Sequence, residues 1–192
     1  MSTTYVISEI GINHNGDVDL AKELIKVSAE SGANAVKFQK RTIDLVYTKA
    51  ELDKYRESPW GKTNRLQKEG LEFSIETYKE LEEYTKSLGM DFIVSCWDLN
   101  SLNEVEEHLD VKYHKVASAL ATDRDFLLAL NKTGRPVILS TGMCTGAEIS
   151  AAVDILENVE YVLACTSTYP TKAEEINLKH VSTLKEAYPK LK

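Results

Sequence analysis

Two lysines stand where a lysine is seldom left unpaired. Lys37 lies in Val36-Lys37-Phe38-Gln39-Lys40 and Lys115 in His114-Lys115-Val116-Ala117-Ser118, each inside an apolar run. A buried ammonium group needs a counter-charge, so two of them invite an anion. An internal salt bridge, for example with Glu9, would answer the same need. Glu9 ends the first apolar run and reads by pattern as a buried carboxylate. It could serve as a general base, as the partner of a metal-bound water, or as the counter-ion of a lysine. Ser118, Ser140, Thr141 and Ser167 follow later runs and could donate hydroxyls to an anion or cap helices. His14, in Asn13-His14-Asn15-Gly16, could take part in chemistry or hold a turn. His108, His114 and His180 show no metal-ligand spacing with each other or with His14, so no assembled metal site is expected. Cys96, Cys144 and Cys165 have no activating His or Asp beside them and read as small buried hydrophobes. Trp60 and Trp97 read as packing residues, and Gly11, Gly16 and Gly142 as tight-turn residues near the chemistry.

The elements that must position these residues repeat. Six short apolar runs rich in β-branched residues span 5–10, 35–38, 91–94, 112–116, 136–139 and 160–164. Their near-continuous hydrophobicity suits strands buried on both faces, as in a parallel sheet. Helical spacing separates them. It predicts a helix over 18–31 stopped at Gly32, and one over 75–88 capped by Ser74 and stopped at Gly89. A short helix follows over 101–108, and another over 123–131, capped by Thr122 and ended near Gly134. A capping box, Thr145-Gly146-Ala147-Glu148, opens a helix to about Glu157. Asn177 opens a last helix that Pro189 ends. Residues 40–72 alone look irregular, and a loop that long is usually functional or disordered.

Six βα units in strict alternation imply a parallel sheet with right-handed crossovers. Polar residues stand at the C-terminal end of every strand. A barrel gathers all such ends into one site, whereas a doubly wound sheet needs them only at its switch point. No GxGxxG follows any strand. The expected fold is therefore α/β of the (β/α)8 TIM-barrel type, in one partial catalytic domain over 1–192. Later units recur about every 22–25 residues, so two more would bring the chain to roughly 240, near the ~250 of a complete barrel. On this count the chain looks truncated after about six units. Lys plus Arg is 23 and Asp plus Glu is 30, a net charge of −7, which argues against a nucleic-acid partner. No apolar run approaches the ~18 residues of a membrane span. The start, Met1-Ser2-Thr3-Thr4, has no basic n-region, so no signal peptide is expected. Three cysteines without CxxC spacing point to a reducing cytoplasm.

Taken in order, several motifs resemble one family. They are Glu9-Ile10-Gly11-Ile12-Asn13-His14-Asn15-Gly16, Val36-Lys37-Phe38-Gln39, Ser58-Pro59-Trp60-Gly61, Lys115-Val116-Ala117-Ser118, Ser140-Thr141-Gly142-Met143 and Cys165-Thr166-Ser167-Thr168-Tyr169-Pro170-Thr171. Together they resemble the sialic acid synthase (N-acetylneuraminate synthase) family along essentially the whole chain. The resemblance implies a TIM barrel that condenses phosphoenolpyruvate with an N-acetylated hexosamine, such as N-acetylmannosamine, to give a sialic or other nonulosonic acid and phosphate. It implies that Lys37 and Lys115 hold phosphoenolpyruvate with Ser118 and Ser167. Gln39 and Tyr169 would contact the sugar, and Glu9 would be the catalytic carboxylate. It also implies a divalent metal, Mn2+ or Mg2+, and a family homodimer.

The chain departs from the family pattern. Ser95-Cys96-Trp97 replaces a common S-T-P, Leu120 stands where many members are acidic, and Ser167 where some carry Asn. The family's metal-binding histidines and its C-terminal antifreeze-like domain would follow residue 192. The chain alone is therefore expected not to turn over. Two other readings remain: an inactive fragment or split-enzyme half needing a partner, and another phosphoenolpyruvate-dependent aldose condensation.

Overall fold

The computed structural model describes residues 4–192 and divides them into two compact units, one ending at Lys112 and the other starting at Tyr113. Met1-Ser2-Thr3, on which most of the N-terminal reading falls, lies outside the described residues.

The first unit runs β1 (Ile7–Gly11), α1 (Val18–Glu30), β2 (Ala35–Lys40), α2 (Ile43–Val46), α3 (Lys49–Leu52), β3 (Tyr55–Ser58), β4 (Gly61–Thr63), α4 (Asn64–Gly70), α5 (Ile75–Ser87), β5 (Asp91–Cys96) and α6 (Leu99–His108). Strand β2 pairs in parallel with β1 on one side and β5 on the other. Val36, Phe38, Phe92, Ile93 and Val94 are fully buried, as the continuous apolar runs require. The helices start where short polar side chains can cap them. Asp17, Ser74 and Asp98 each accept a backbone N–H from the first turn of α1, α5 and α6. Helix α6 thus begins two residues before its expected start.

Residues 40–72 are not irregular. They form two one-turn helices, the antiparallel β3–β4 hairpin and α4. No element here exceeds seven residues, too few for periodicity to register.

The second unit runs β6 (His114–Val116), α7 (Arg124–Thr133), β7 (Val137–Ser140), α8 (Gly146–Ile155), β8 (Val159–Leu163) and α9 (Lys179–Ala187), with 3-10 turns at Ser118–Leu120 and Ala173–Glu175. Strand β7 pairs in parallel with β6 and β8. The capping box at Thr145 and Glu148 forms with both reciprocal bonds. Helix α7 is capped by Asp123 rather than Thr122, since the Asp123 carboxylate accepts from the Phe126 N–H at 3.0 Å. Asn177 does not open α9: the helix begins at Lys179 with no side-chain cap. Beyond α9 the Lys192 N–H donates to the Glu160 carbonyl at 2.9 Å, and the Lys192 carbonyl accepts from Val162 N at 3.0 Å. Among the described residues no helix is long and apolar enough to cross a membrane.

Candidate functional site

In the first unit the chemistry gathers on the face shared by β1 and β2. Parallel register sets Glu9 beside Lys37, and a two-residue period puts Gln39 on the same face. Lys37 is buried and forms an ion pair with the Glu9 carboxylate. The pairing thus realises the salt-bridge alternative for this lysine. Glu9 corrects the expectation of burial: its side chain is 51% exposed. The register of β1 slips between Glu9 and Gly11, and Gly11 adopts φ +56°. A side chain at Gly11 would crowd Glu9 Oε1 at 3.1 Å and Gln39 Nε2 at 3.3 Å. That bulge turns the strand end so that the Glu9 and Gln39 head groups flank the Gly11 backbone.

The opposite face of β2 carries structure. Phe38 packs on Phe92 and, edge-on, on Tyr78, whose hydroxyl donates to the Gln39 carbonyl. Lys40 pairs with Glu104 at 2.9 Å and lies 5.6 Å from the Tyr78 ring centroid. Just past β2, Arg41 Nε donates to Glu72 at 2.6 Å, the Arg41 backbone N–H donates to the other carboxylate oxygen at 3.1 Å, and Nη1 donates to the Tyr47 hydroxyl at 3.0 Å. Burial raises the Glu72 carboxyl pKa, against the pull of Arg41. Sequence reading missed this pair, because Arg41 and Glu72 lie far apart in a region without periodicity.

His14 turns out to hold a turn. The ring is only 1% exposed, stacks on Phe73 at 4.1 Å between centroids, and accepts the Gly16 N–H at Nδ1 over 3.1 Å. Burial, with a smaller push from Arg41, lowers its pKa from 6.5 to about 4. The folded state therefore resists protonating a group that the unfolded chain protonates below about pH 6.5. His14 contributes its full stability above that pH and loses it as pH falls toward 4. We expect a loss of order 2 kcal/mol after allowing for solvent screening. Urea denaturation at pH 7 and pH 4.5 checks this, since His14→Phe, which cannot titrate, should show a flatter profile. Equal pH dependence in both proteins would remove His14 as the cause.

In the second unit the hydroxyls converge on Gly142. Ser118 Oγ accepts the Gly142 N–H at 2.9 Å. A side chain at Gly142 would overlap Ser167 Oγ and meet Ser118 Oγ at 2.9 Å. Ser118 and Ser167, expected as anion ligands, thus share one backbone position. Met143, at φ +65°, completes this turn. Ser140 and Thr141 are buried, and Thr141 Oγ1 donates to the Leu163 carbonyl at 2.8 Å, a structural bond. Lys115 is half-buried on β6, opposite Ile138. Tyr169 is 95% exposed. Two of the thiols are not activated. Burial raises the pKa of Cys96 strongly and that of Cys144 as well.

The NeuB family sequence profile matches residues 24–192. The chain belongs to the NeuB family. This NeuB-family chain is 39% identical over 190 residues to an uncharacterized protein of Methanocaldococcus jannaschii, covering 96% of the chain and 52% of that protein. It is 35% identical over 198 residues to the N,N'-diacetyllegionaminic acid synthase of Campylobacter jejuni, covering 98% of the chain and 59% of the synthase. It therefore spans about half the length of these relatives. Its structure is similar to that of the N-acetylneuraminic acid (sialic acid) synthetase of Leptospira borgpetersenii, determined with citrate, at TM-score 0.86 and 28% identity, over 97% of the chain and 62% of that protein.

The family implies a divalent metal. Among the described residues no group of three or more His, Cys, Asp or Glu could hold one. His14 offers no ligand, since its Nδ1 accepts from Gly16 and its ring is buried against Phe73. The described residues do not fit such a site.

Proposed function

We propose that this NeuB-family chain supplies βα units of a (β/α)8 barrel that condenses phosphoenolpyruvate with an N-acetylated hexosamine, giving a nonulosonic acid and phosphate. The observation that carries the reading is the buried Lys37, held against Glu9 and beside Gln39 at the C-terminal end of β1 and β2. In the reading, Lys37, Lys115, Ser118 and Ser167 bind the carboxylate and phosphate of phosphoenolpyruvate, while Gln39 and Tyr169 contact the sugar. Both units belong to one cytoplasmic catalytic domain, and the enzyme acts as a homodimer.

The roles follow from the chemistry. Carbon 3 of phosphoenolpyruvate attacks the sugar aldehyde, and the carbonyl electron pair moves onto oxygen, which takes a proton. Water adds at carbon 2 and gives up a proton. The C2–O bond to phosphate then breaks, leaving a ketone, inorganic phosphate and the second proton. Glu9 is open to solvent and stands at the strand end, so it is placed to take the proton from water or to return one to the alkoxide. An arriving dianion competes with Glu9 for Lys37, which frees the carboxylate for that work. The lysine charges and the serine hydroxyls favour the transition state by holding negative charge on phosphate and carboxylate.

Binding tests this reading without turnover. Calorimetric titration of the chain with phosphoenolpyruvate should show saturable binding. Lys37→Met and Lys115→Met should each weaken it by roughly ten- to a hundredfold, the worth of a lost charge-assisted hydrogen bond. Lys37→Met leaves only a half-exposed Glu9 unpaired, so the fold should survive. Absence of binding, or lysine variants that bind like the parent, would overturn the reading.

A further inference from the structure

A cleft of about 350 Å3 lies against α3, β3 and α4 in the first unit. Lys54, Arg56 and Lys68 line it, and among the described residues Glu51 is the one carboxylate that does. The chain as a whole carries a net charge of −7, so three cations on one small surface run against its balance. Glu51 pairs with Lys54. Among the described residues Arg56 and Lys68 have no carboxylate partner. Lys68 lies instead 4.9 Å from the centroid of the Tyr47 ring, which also lines the cleft. The Tyr47 hydroxyl accepts from Arg41 Nη1 at 3.0 Å, so its own proton is left to donate. Asn64 is 5% exposed on the same wall. Its Nδ2 donates to the Glu51 carbonyl at 3.1 Å, which fixes the sense of the amide. Its Oδ1 is buried with no hydrogen-bond partner, a state that buried acceptors seldom keep.

We propose that this cleft is a binding site for a nucleoside phosphate whose base carries an exocyclic amine. The phosphate sits among Lys54, Arg56, Lys68 and the Tyr47 hydroxyl. The base stacks on Tyr55, and its amine donates to Asn64 Oδ1 after a small turn of the amide, whose terminal torsion is broad. None of the residues assigned to phosphoenolpyruvate or to the sugar lines this cleft, so the site does not rest on the synthase reading.

Three features choose the ligand. Two cations without a carboxylate and a polarised hydroxyl exceed what one carboxylate can use. They match the charge and the three acceptor oxygens of a phosphate monoester, which an arginine fork takes in pairs. Tyr55 lines the cleft, is 71% exposed and has no ring neighbour among the described residues. It therefore offers a bare face on which a flat base can stack. Asn64 asks for an N–H donor, which a phosphate dianion does not carry and a base amine supplies.

Calorimetric titration of this protein with adenosine monophosphate should show saturable binding that weakens as salt rises. Adenosine and inorganic phosphate should each bind at least tenfold more weakly. Inosine monophosphate, with a carbonyl oxygen in place of the amine, should also lose about tenfold. Arg56→Met and Tyr55→Ala stand at exposed positions, so both should fold. Each should lower nucleotide affinity about tenfold, while Lys37→Met should bind the nucleotide like the parent. The site is overturned if adenosine monophosphate does not bind, or if the Arg56 and Tyr55 variants bind it like the parent. Inorganic phosphate as tight as the nucleotide, or inosine monophosphate as tight as adenosine monophosphate, overturns the choice of ligand. Loss of binding in Lys37→Met would put the nucleotide at the ends of β1 and β2 and overturn the cleft.

Discussion

Gly16→Ala should destabilise the chain by about 4 kcal/mol or more, well beyond an ordinary glycine replacement. Two costs combine. Gly16 holds φ +71°, where an L-residue loses about 1–2 kcal/mol. The added Cβ would also overlap the carbonyl oxygen of Gly70, so the clash is backbone against backbone and no rotamer relieves it. The remainder of the cost is displacement of α4 and of the indole beside it, a form of overpacking. Gly32 supplies the control. It holds φ +81°, yet an added Cβ there meets nothing within 4 Å, so Gly32→Ala should cost only the conformational part. Denaturant unfolding of both variants measures the difference. If Gly16→Ala proves no worse than Gly32→Ala, the close approach of the loop to α4 does not hold the first unit together.

How much of this was readable beforehand depended on how far apart the cooperating residues lie. The strands and long helices were legible because each carries its own signal: a continuous apolar run for β2, β5 and β7, helical spacing stopped by a glycine for α1 and α5, and a capping box for α8. Lys37 was legible for the same reason, since a charge within an apolar run marks itself. Its partnership with Glu9 followed from parallel register, but the exposure of Glu9 did not. A two-residue period assigns a face, and the slip after Glu9 disturbs that assignment at the strand end. The convergence of Ser118 and Ser167 on Gly142 was invisible, because it joins three turns that have no common period. Thr122 and Asp123 are both good caps, and only the backbone path selects Asp123. Residues 40–72 failed as a reading because their elements are shorter than the window that detects periodicity. They are held instead by contacts that sequence does not announce, among them the seating of Trp60 on Gly70 and the pairing of Arg41 with Glu72.

That last pair should show an effect nearly as large as Gly16. Glu72→Ala should cost about 3–5 kcal/mol, the usual result of stripping one partner from a buried ion pair. The guanidinium side chain of Arg41 is almost wholly buried, and its Nη2 already lacks a hydrogen-bond partner. Removing Glu72 would leave that charge with only the Tyr47 hydroxyl. The cost is one of abandonment rather than of lost attraction, and this gives the prediction its shape. Arg41→Met alone should cost less, because Glu72 is less deeply buried and burial already favours its protonated form. Arg41→Met combined with Glu72→Leu should recover most of the loss, since neither charge then remains to be solvated. A double-mutant cycle by urea denaturation at pH 7 measures all three. A Glu72→Ala cost below 1 kcal/mol, or a double variant as unstable as Glu72→Ala, would show that the pair is solvated and contributes little. The expected pattern would instead identify Arg41 and Glu72 as the clamp between the end of β2, with Lys37 and Gln39 upstream, and the segment that carries the hairpin and Trp60.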